Sequence, residues 1–127
     1  MLEALWESLL VMLGGAVGSL SRFWVNNFAV YLFGIAFPIG TLGINILGSF
    51  ILGFLVAWGQ PIGIDPKLRL LLGTGFCGGF TTFSTFSIES LVMLEKGDFG
   101  LGLLYIFGNV LGGIVAAFGG VILARSL

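Results

Sequence analysis

Apolar residues fill four long runs, separated by short segments rich in glycine, proline and charge. The first run covers about Leu2–Phe33, with Arg22 and Asn26 toward its far end. The segment Gly34–Gly40, which holds Pro38, separates it from a second run over about Thr41–Trp58. The turn GQPIGIDPK follows, with two prolines, and a third run extends from about Leu68 to Leu94. EKGDFG closes that run, and the fourth covers about Leu101–Arg125. A spanning helix needs about 20 apolar residues. The pattern therefore predicts an all-α integral membrane protein, with four transmembrane helices in a single domain, residues 1–127.

Composition strengthens this reading. The 127 residues are 57% hydrophobic and 9% charged, with a mean hydropathy of +1.14, whereas a soluble domain carries about a quarter charged residues. Net charge is -1 and no basic block occurs, so neither nucleic acid nor a polybasic lipid tail is indicated. Histidine is absent, which removes imidazole proton relays and histidine-ligated metals, and nothing in the chain indicates an enzyme. The single Cys77 in its apolar setting reads as a buried, inert thiol. MLEALWESLL is acidic and lacks a cleavage site, so the first helix is expected to be retained.

The 22 glycines are spread through the apolar runs. Small residues at four-residue spacing let membrane helices approach closely, and Gly14/Gly18 and Gly112/Ala116/Gly120 fit that pattern. Four spans make a thin bundle, which points to oligomerisation. Lys67, Arg69 and Arg125 fall on one side, opposite Lys96 and Arg22, so the basic bias that orients membrane proteins is weak. Weak bias permits insertion both ways round and hence an antiparallel homodimer.

Polar groups inside the runs are candidate functional residues. Thr41, Asn45 and Ser49 share one helical face, where Asn45 either glues helices together or donates amide hydrogens to an anion. Arg22 either snorkels to the interface or sits in an aqueous vestibule and concentrates anions. Glu89 has three readings: snorkelling, pairing with a basic group, or marking an ion path. Tyr105, Asn109 and Gly113 repeat at i+4 in the fourth run, as an interfacial tyrosine plus a packing asparagine or as part of a pathway.

The densest signal is GTGFCGGFTTFSTFSIES, residues 73–90. Thr81, Thr82, Ser84, Thr85 and Ser87 surround Phe83 and Phe86, just after Gly78 and Gly79. Thr81 is thirteen residues from Leu68, about 20 Å along a helix and so near mid-bilayer. Some hydroxyls can bond back to their own helix. So many, after a glycine pair, fit a broken helix whose freed carbonyls and hydroxyls face a site. Such carbonyls are hard ligands suited to an alkali cation. Phe83 and Phe86, at i and i+3, project from one face and can offer positive ring edges to a small anion or ring faces to a cation.

GGAVGSLSR (14–22), TLGINILGSFILG (41–53) and GTGFCGGFTTFSTFSIE (73–89) closely resemble the Fluc/CrcB fluoride channels, small bacterial fluoride exporters. The resemblance implies four-helix subunits in an antiparallel, dual-topology homodimer with two pores in the bacterial inner membrane. It also implies a structural sodium ion at the dimer centre, held by the carbonyls of Gly78 and Thr81 in GGxTTF. Carried over by motif, Phe83 and Phe86 line fluoride positions, Asn45 is the pore asparagine, and Ser84 and Thr85 lie near the path. Arg22 and Thr41 fall at the vestibule, and Glu89 is the acidic residue late in span three. Tyr105 and Asn109 belong to a polar track in span four. Where family members show Tyr-xxx-Ser-xxx-Ser/Thr, this chain has Gly113 in place of the last hydroxyl. The implied partners are fluoride, membrane lipid and a second copy of the chain.

Fluoride is small and strongly hydrated, so neutral donors that replace its water while leaving it free to exit suit a pore better than a row of cations. A small proton-coupled multidrug exporter is the alternative of similar architecture. It needs a membrane-embedded carboxylate; the first span offers Glu7 near its end, and the span-three acid Glu89 sits in the wrong context.

Overall fold

The computed structural model describes residues 1–127, and every regular element in it is helical. Helix α1 (Leu2–Phe33) ends at Gly34, whose φ of 77° turns the chain while its N–H bonds the Val30 carbonyl. Helix α2 (Ile39–Ala57) starts behind Pro38. Asp65 opens α3 (Pro66–Arg69) by accepting the Lys67 N–H at 2.7 Å, and proline occupies the first helical position, where no N–H is needed. The chain then stays helical through a π-helical stretch, Leu70–Cys77, into one turn of α4 (Gly78–Phe80). Thr81 and Thr82 are extended, with ψ of 159° and 123°. Helix α5 (Phe83–Glu95) follows, then a tight turn at Gly97, and α6 (Phe99–Arg125).

Helices α1, α2 and α6 are each long and apolar enough to cross a membrane. The stretch expected as a third span is divided at Thr81 and Thr82 into a continuous helical run over 66–80 and helix α5 of 13 residues. No piece alone reaches the length a span needs.

Two close backbone approaches organise the packing. Helix α1 lies on the π-helical stretch, where a Cβ on Gly14 would strike the Leu71 carbonyl and one on Gly18 the Phe76 carbonyl. Helix α2 lies on α6 in the same manner, since a Cβ on Gly53 would meet the Ala117 carbonyl and one on Gly120 the Phe50 carbonyl. The small-residue spacing of the sequence thus serves backbone-to-backbone packing. Gly112 takes a milder part, facing the end of the Ile46 side chain. Large apolar side chains such as Trp6, Phe23, Trp24, Phe28, Phe107 and Phe118 remain exposed along the outer faces. Such surfaces suit lipid rather than water. Cys77 is buried, as its setting predicts.

Candidate functional site

The extended residues Thr81 and Thr82 interrupt the helical hydrogen-bond ladder, and their freed groups define the site. Thr82 caps α5, its Oγ1 accepting the Thr85 N–H at 3.2 Å. Its own N–H does not return to the Gly78 carbonyl four residues back but donates to Asn45 Oδ1 at 2.9 Å. Asn45 Nδ2 in turn donates to the Thr82 carbonyl at 3.1 Å. One α2 side chain therefore pairs with both backbone groups of Thr82, as a neighbouring strand would. The second Nδ2 hydrogen of Asn45 goes to Asn109 Oδ1 at 2.8 Å, and Asn109 Nδ2 donates to the Tyr105 carbonyl at 3.0 Å. Both donors of Asn45 are committed within the subunit.

Thr81 satisfies its own hydroxyl and N–H on the Cys77 carbonyl, at 2.9 and 3.0 Å. Its carbonyl takes none of the backbone hydrogen bonds. Arg22 reaches across from α1, and its Nε donates to the Gly79 carbonyl at 3.0 Å. The guanidinium thus covers one carbonyl freed by the interruption. The Gly78 and Thr81 carbonyls keep their lone pairs available.

A groove of about 560 Å³ lies over this interruption. Of the sequence-predicted residues it brings together Asn45, Gly78, Thr81, Phe83, Phe86 and Asn109. No charged side chain lines it; Gly48, Ser49, Gly73, Thr74, Cys77 and Thr82 supply much of the remainder. The two phenylalanine rings are 5.6 Å apart and tilted by 58°. They differ sharply in exposure, Phe83 being 78% exposed and Phe86 buried at 8%. Phe86 is held by Tyr105, 5.8 Å away, and Tyr105 by an edge-on contact with Phe37 at 5.5 Å.

Arg22, Thr41, Ser84, Thr85, Glu89 and Tyr105 lie outside the groove lining. Thr41 and Tyr105 are fully buried, so Tyr105 is no interfacial tyrosine. Both donate their hydroxyls to the same carboxylate oxygen, Glu89 Oε1, at 2.6 and 3.0 Å. Glu89 is therefore anchored by two hydroxyls from α2 and α6. It also lines a separate small cavity of about 80 Å³ beside Asn26, Phe37 and Gly40. Exposed Ser84 sits with its Oγ 3.4 Å from Thr82 Oγ1.

Three features escape sequence reasoning. The π-helical stretch is one, and its only trace is the glycine pair Gly73 and Gly75. The pairing of Thr82 with Asn45 is another; two adjacent β-branched residues favour extended backbone and are the available signal. Gly48 is the third: a Cβ there would strike Thr81 Cγ2, so the interruption can rest on α2 only where that position is bare.

Residues 9–121 match the model of the family described as "CrcB-like protein, Camphor Resistance (CrcB)". The chain is 52% identical over 122 residues to a protein of Gloeobacter violaceus named fluoride-specific ion channel FluC, covering 95% of this chain and 98% of that one. A Dehalococcoides mccartyi protein of the same name is 47% identical over 95% of this chain and 94% of its own length. A Koribacter versatilis protein of that name is 43% identical over 98% and 99%.

Proposed function

The chain belongs to the CrcB-like family, and from that premise we propose that it is a fluoride-selective ion channel, conducting passively across a bacterial inner membrane. The observation that carries this reading is the uncharged groove over the Thr81–Thr82 interruption, lined by hydroxyls, amides and two phenylalanine rings. The name shared by its relatives supplies the ion.

The chemistry follows from desolvation. Taking a small ion out of water without replacement costs on the order of tens of kcal/mol in an idealised apolar medium. Neutral O–H and N–H donors and positive ring edges replace part of that hydration. They do so without the fixed positive charge that would trap the ion. Phe83 offers an exposed ring for this purpose; Phe86 is fixed behind it by Tyr105.

In this reading the pieces between Pro66 and Glu95 act together as a third, interrupted membrane span. The open side of the groove, with Phe83 standing into it, is where a second copy docks in antiparallel orientation and completes two pores. Sodium fits the available donors there. The Gly78 and Thr81 carbonyls are hard oxygens that take no backbone N–H, while the competing Gly79 and Thr82 carbonyls are claimed by Arg22 and Asn45. A bound sodium ion would hold the two copies in register. Arg22 and Asn45 act as clamps that keep the interruption in shape.

Purified protein in liposomes, with a potassium ionophore to carry the counter-ion, tests the proposal through a fluoride electrode. Rapid fluoride release with little chloride release is expected. No fluoride release, or equal chloride release, rejects the channel reading.

A further inference from the structure

Four of the seven helical serines in this chain turn their hydroxyls back on their own backbone. Ser8, Ser21, Ser87 and Ser90 each donate to the carbonyl four residues earlier, at 2.7 to 2.9 Å. Thr81 does the same onto Cys77. Such bonds satisfy the hydroxyl and withdraw it from any ligand.

Ser49 of α2 makes no such bond, and unlike Ser19 and Ser84 it lines the groove. Its Oγ makes no hydrogen bond with a protein group, and it is not a buried orphan either, because it opens on the groove. It is directed across to α6, where it lies 3.4 Å from the place a Cβ on Gly113 would occupy. One turn earlier on α2 stands Asn45, whose donors are both committed, to Thr82 and to Asn109. One turn before Gly113 on α6 stands Asn109, whose Nδ2 makes a single hydrogen bond, to the Tyr105 carbonyl. An amide nitrogen has two hydrogens. The uncommitted donors along the α2–α6 wall are thus the second Asn109 hydrogen and the Ser49 hydroxyl, about 6 Å apart along the helices.

We infer that Ser49 is an anion-contacting residue of the permeation path, and that with Asn109 it forms a two-donor step for a small monovalent anion. The inference rests on the channel reading above and adds a residue to it. Asn45 becomes a positioning residue, since it holds the Thr82 backbone and orients Asn109. Direct solvation of the ion passes to the groups that still have a free hydrogen. Bare Gly113 opposite Ser49 leaves the room that an ion needs at this step.

The geometry allows a hydroxyl transfer between helices as the test. Fluoride efflux is compared for the parent protein, Ser49→Ala, Ser49→Thr and the double variant Ser49→Ala/Gly113→Ser. Assembly of each is checked by size-exclusion chromatography. For Ser49→Ala, efflux is expected to fall roughly tenfold, the rate equivalent of one hydrogen bond lost at the barrier. Ser49→Thr should retain most of the rate, and the double variant, which returns a hydroxyl to the same gap from α6, should recover most of it. Parental flux in Ser49→Ala, or no recovery in an assembled double variant, overturns the inference and leaves the channel reading intact. Absence of fluoride flux in the parent overturns both. If Ser49→Ala assembles poorly, the isosteric pair Ser49→Thr and Ser49→Val carries the same comparison, and equal rates for the two overturn the inference.

Discussion

Asn45 and Thr82 exchange two hydrogen bonds, 2.9 Å from the Thr82 N–H to Oδ1 and 3.1 Å from Nδ2 to the Thr82 carbonyl. An asparagine on one helix therefore completes the backbone of another at the point where that helix is interrupted. In a membrane no water is available to take over either group. Asn45→Ala should leave both without partners, at about 1–3 kcal/mol each. The expected result is a clear fall in the thermal denaturation midpoint in detergent, together with lost flux; an unchanged midpoint would mean the clamp is dispensable.

Phe83 and Phe86 are close in space but differ in burial, which separates two effects. Phe83→Ile removes an exposed ring. It should cut fluoride flux roughly tenfold or more, about 1.4 kcal/mol at the barrier, while assembly is unchanged. Phe86→Ile also disturbs the packing on Tyr105, so both flux and thermal stability should fall. Flux measured beside denaturation midpoints distinguishes the two.

Glu89 accepts from Thr41 and Tyr105 through one oxygen. Glu89→Gln keeps an acceptor oxygen there, whereas Glu89→Ala leaves two buried hydroxyls unanswered. The alanine variant should therefore be less stable than the glutamine variant by about 1–3 kcal/mol, read as the difference between their denaturation midpoints.

Glycines divide by what stands opposite them. Gly14→Ala and Gly53→Ala would push a methyl group into the Leu71 and Ala117 carbonyls, and assembly should be lost or severely reduced. Gly43→Ala meets nothing within 4 Å and should assemble as the parent does, since alanine favours helix over glycine. Size-exclusion profiles of the three variants check this directly.

Much of this arrangement is legible in the sequence. Hydropathy places α1 and its end at Phe33, and comes within about two residues of α2 and α6, because lipid-facing helices are long and uniformly apolar. Glycine spacing announces the close packing of Gly14, Gly18 and Gly120. Hydrogen-bond partners are less legible, because they depend on how helices rotate against one another. Asn45 reads as glue or as an anion donor, and only the crossing of α2 with the 66–95 stretch reveals that it pairs with Thr82. Arg22 reads as snorkelling or vestibular, yet its Nε reaches the Gly79 carbonyl. Tyr105 reads as interfacial or pathway-lining, yet it is wholly buried against Phe37, Phe86 and Glu89. Ser49 and Gly113 lie 64 residues apart, so nothing local links them.

The sodium proposed at the Gly78 and Thr81 carbonyls makes a further prediction. Exchanging sodium thoroughly for a large organic cation should depress fluoride flux, and returning sodium should restore it. Full activity after complete removal would count against a cation at this position.

The most direct test of the central claim, a neutral groove that passes fluoride passively and selectively, is the reversal potential in a planar bilayer under opposed fluoride and chloride gradients. The potential should follow the fluoride gradient alone, about 59 mV per tenfold for a monovalent ion, and be indifferent to a pH gradient. A reversal potential that tracks chloride or protons would contradict it.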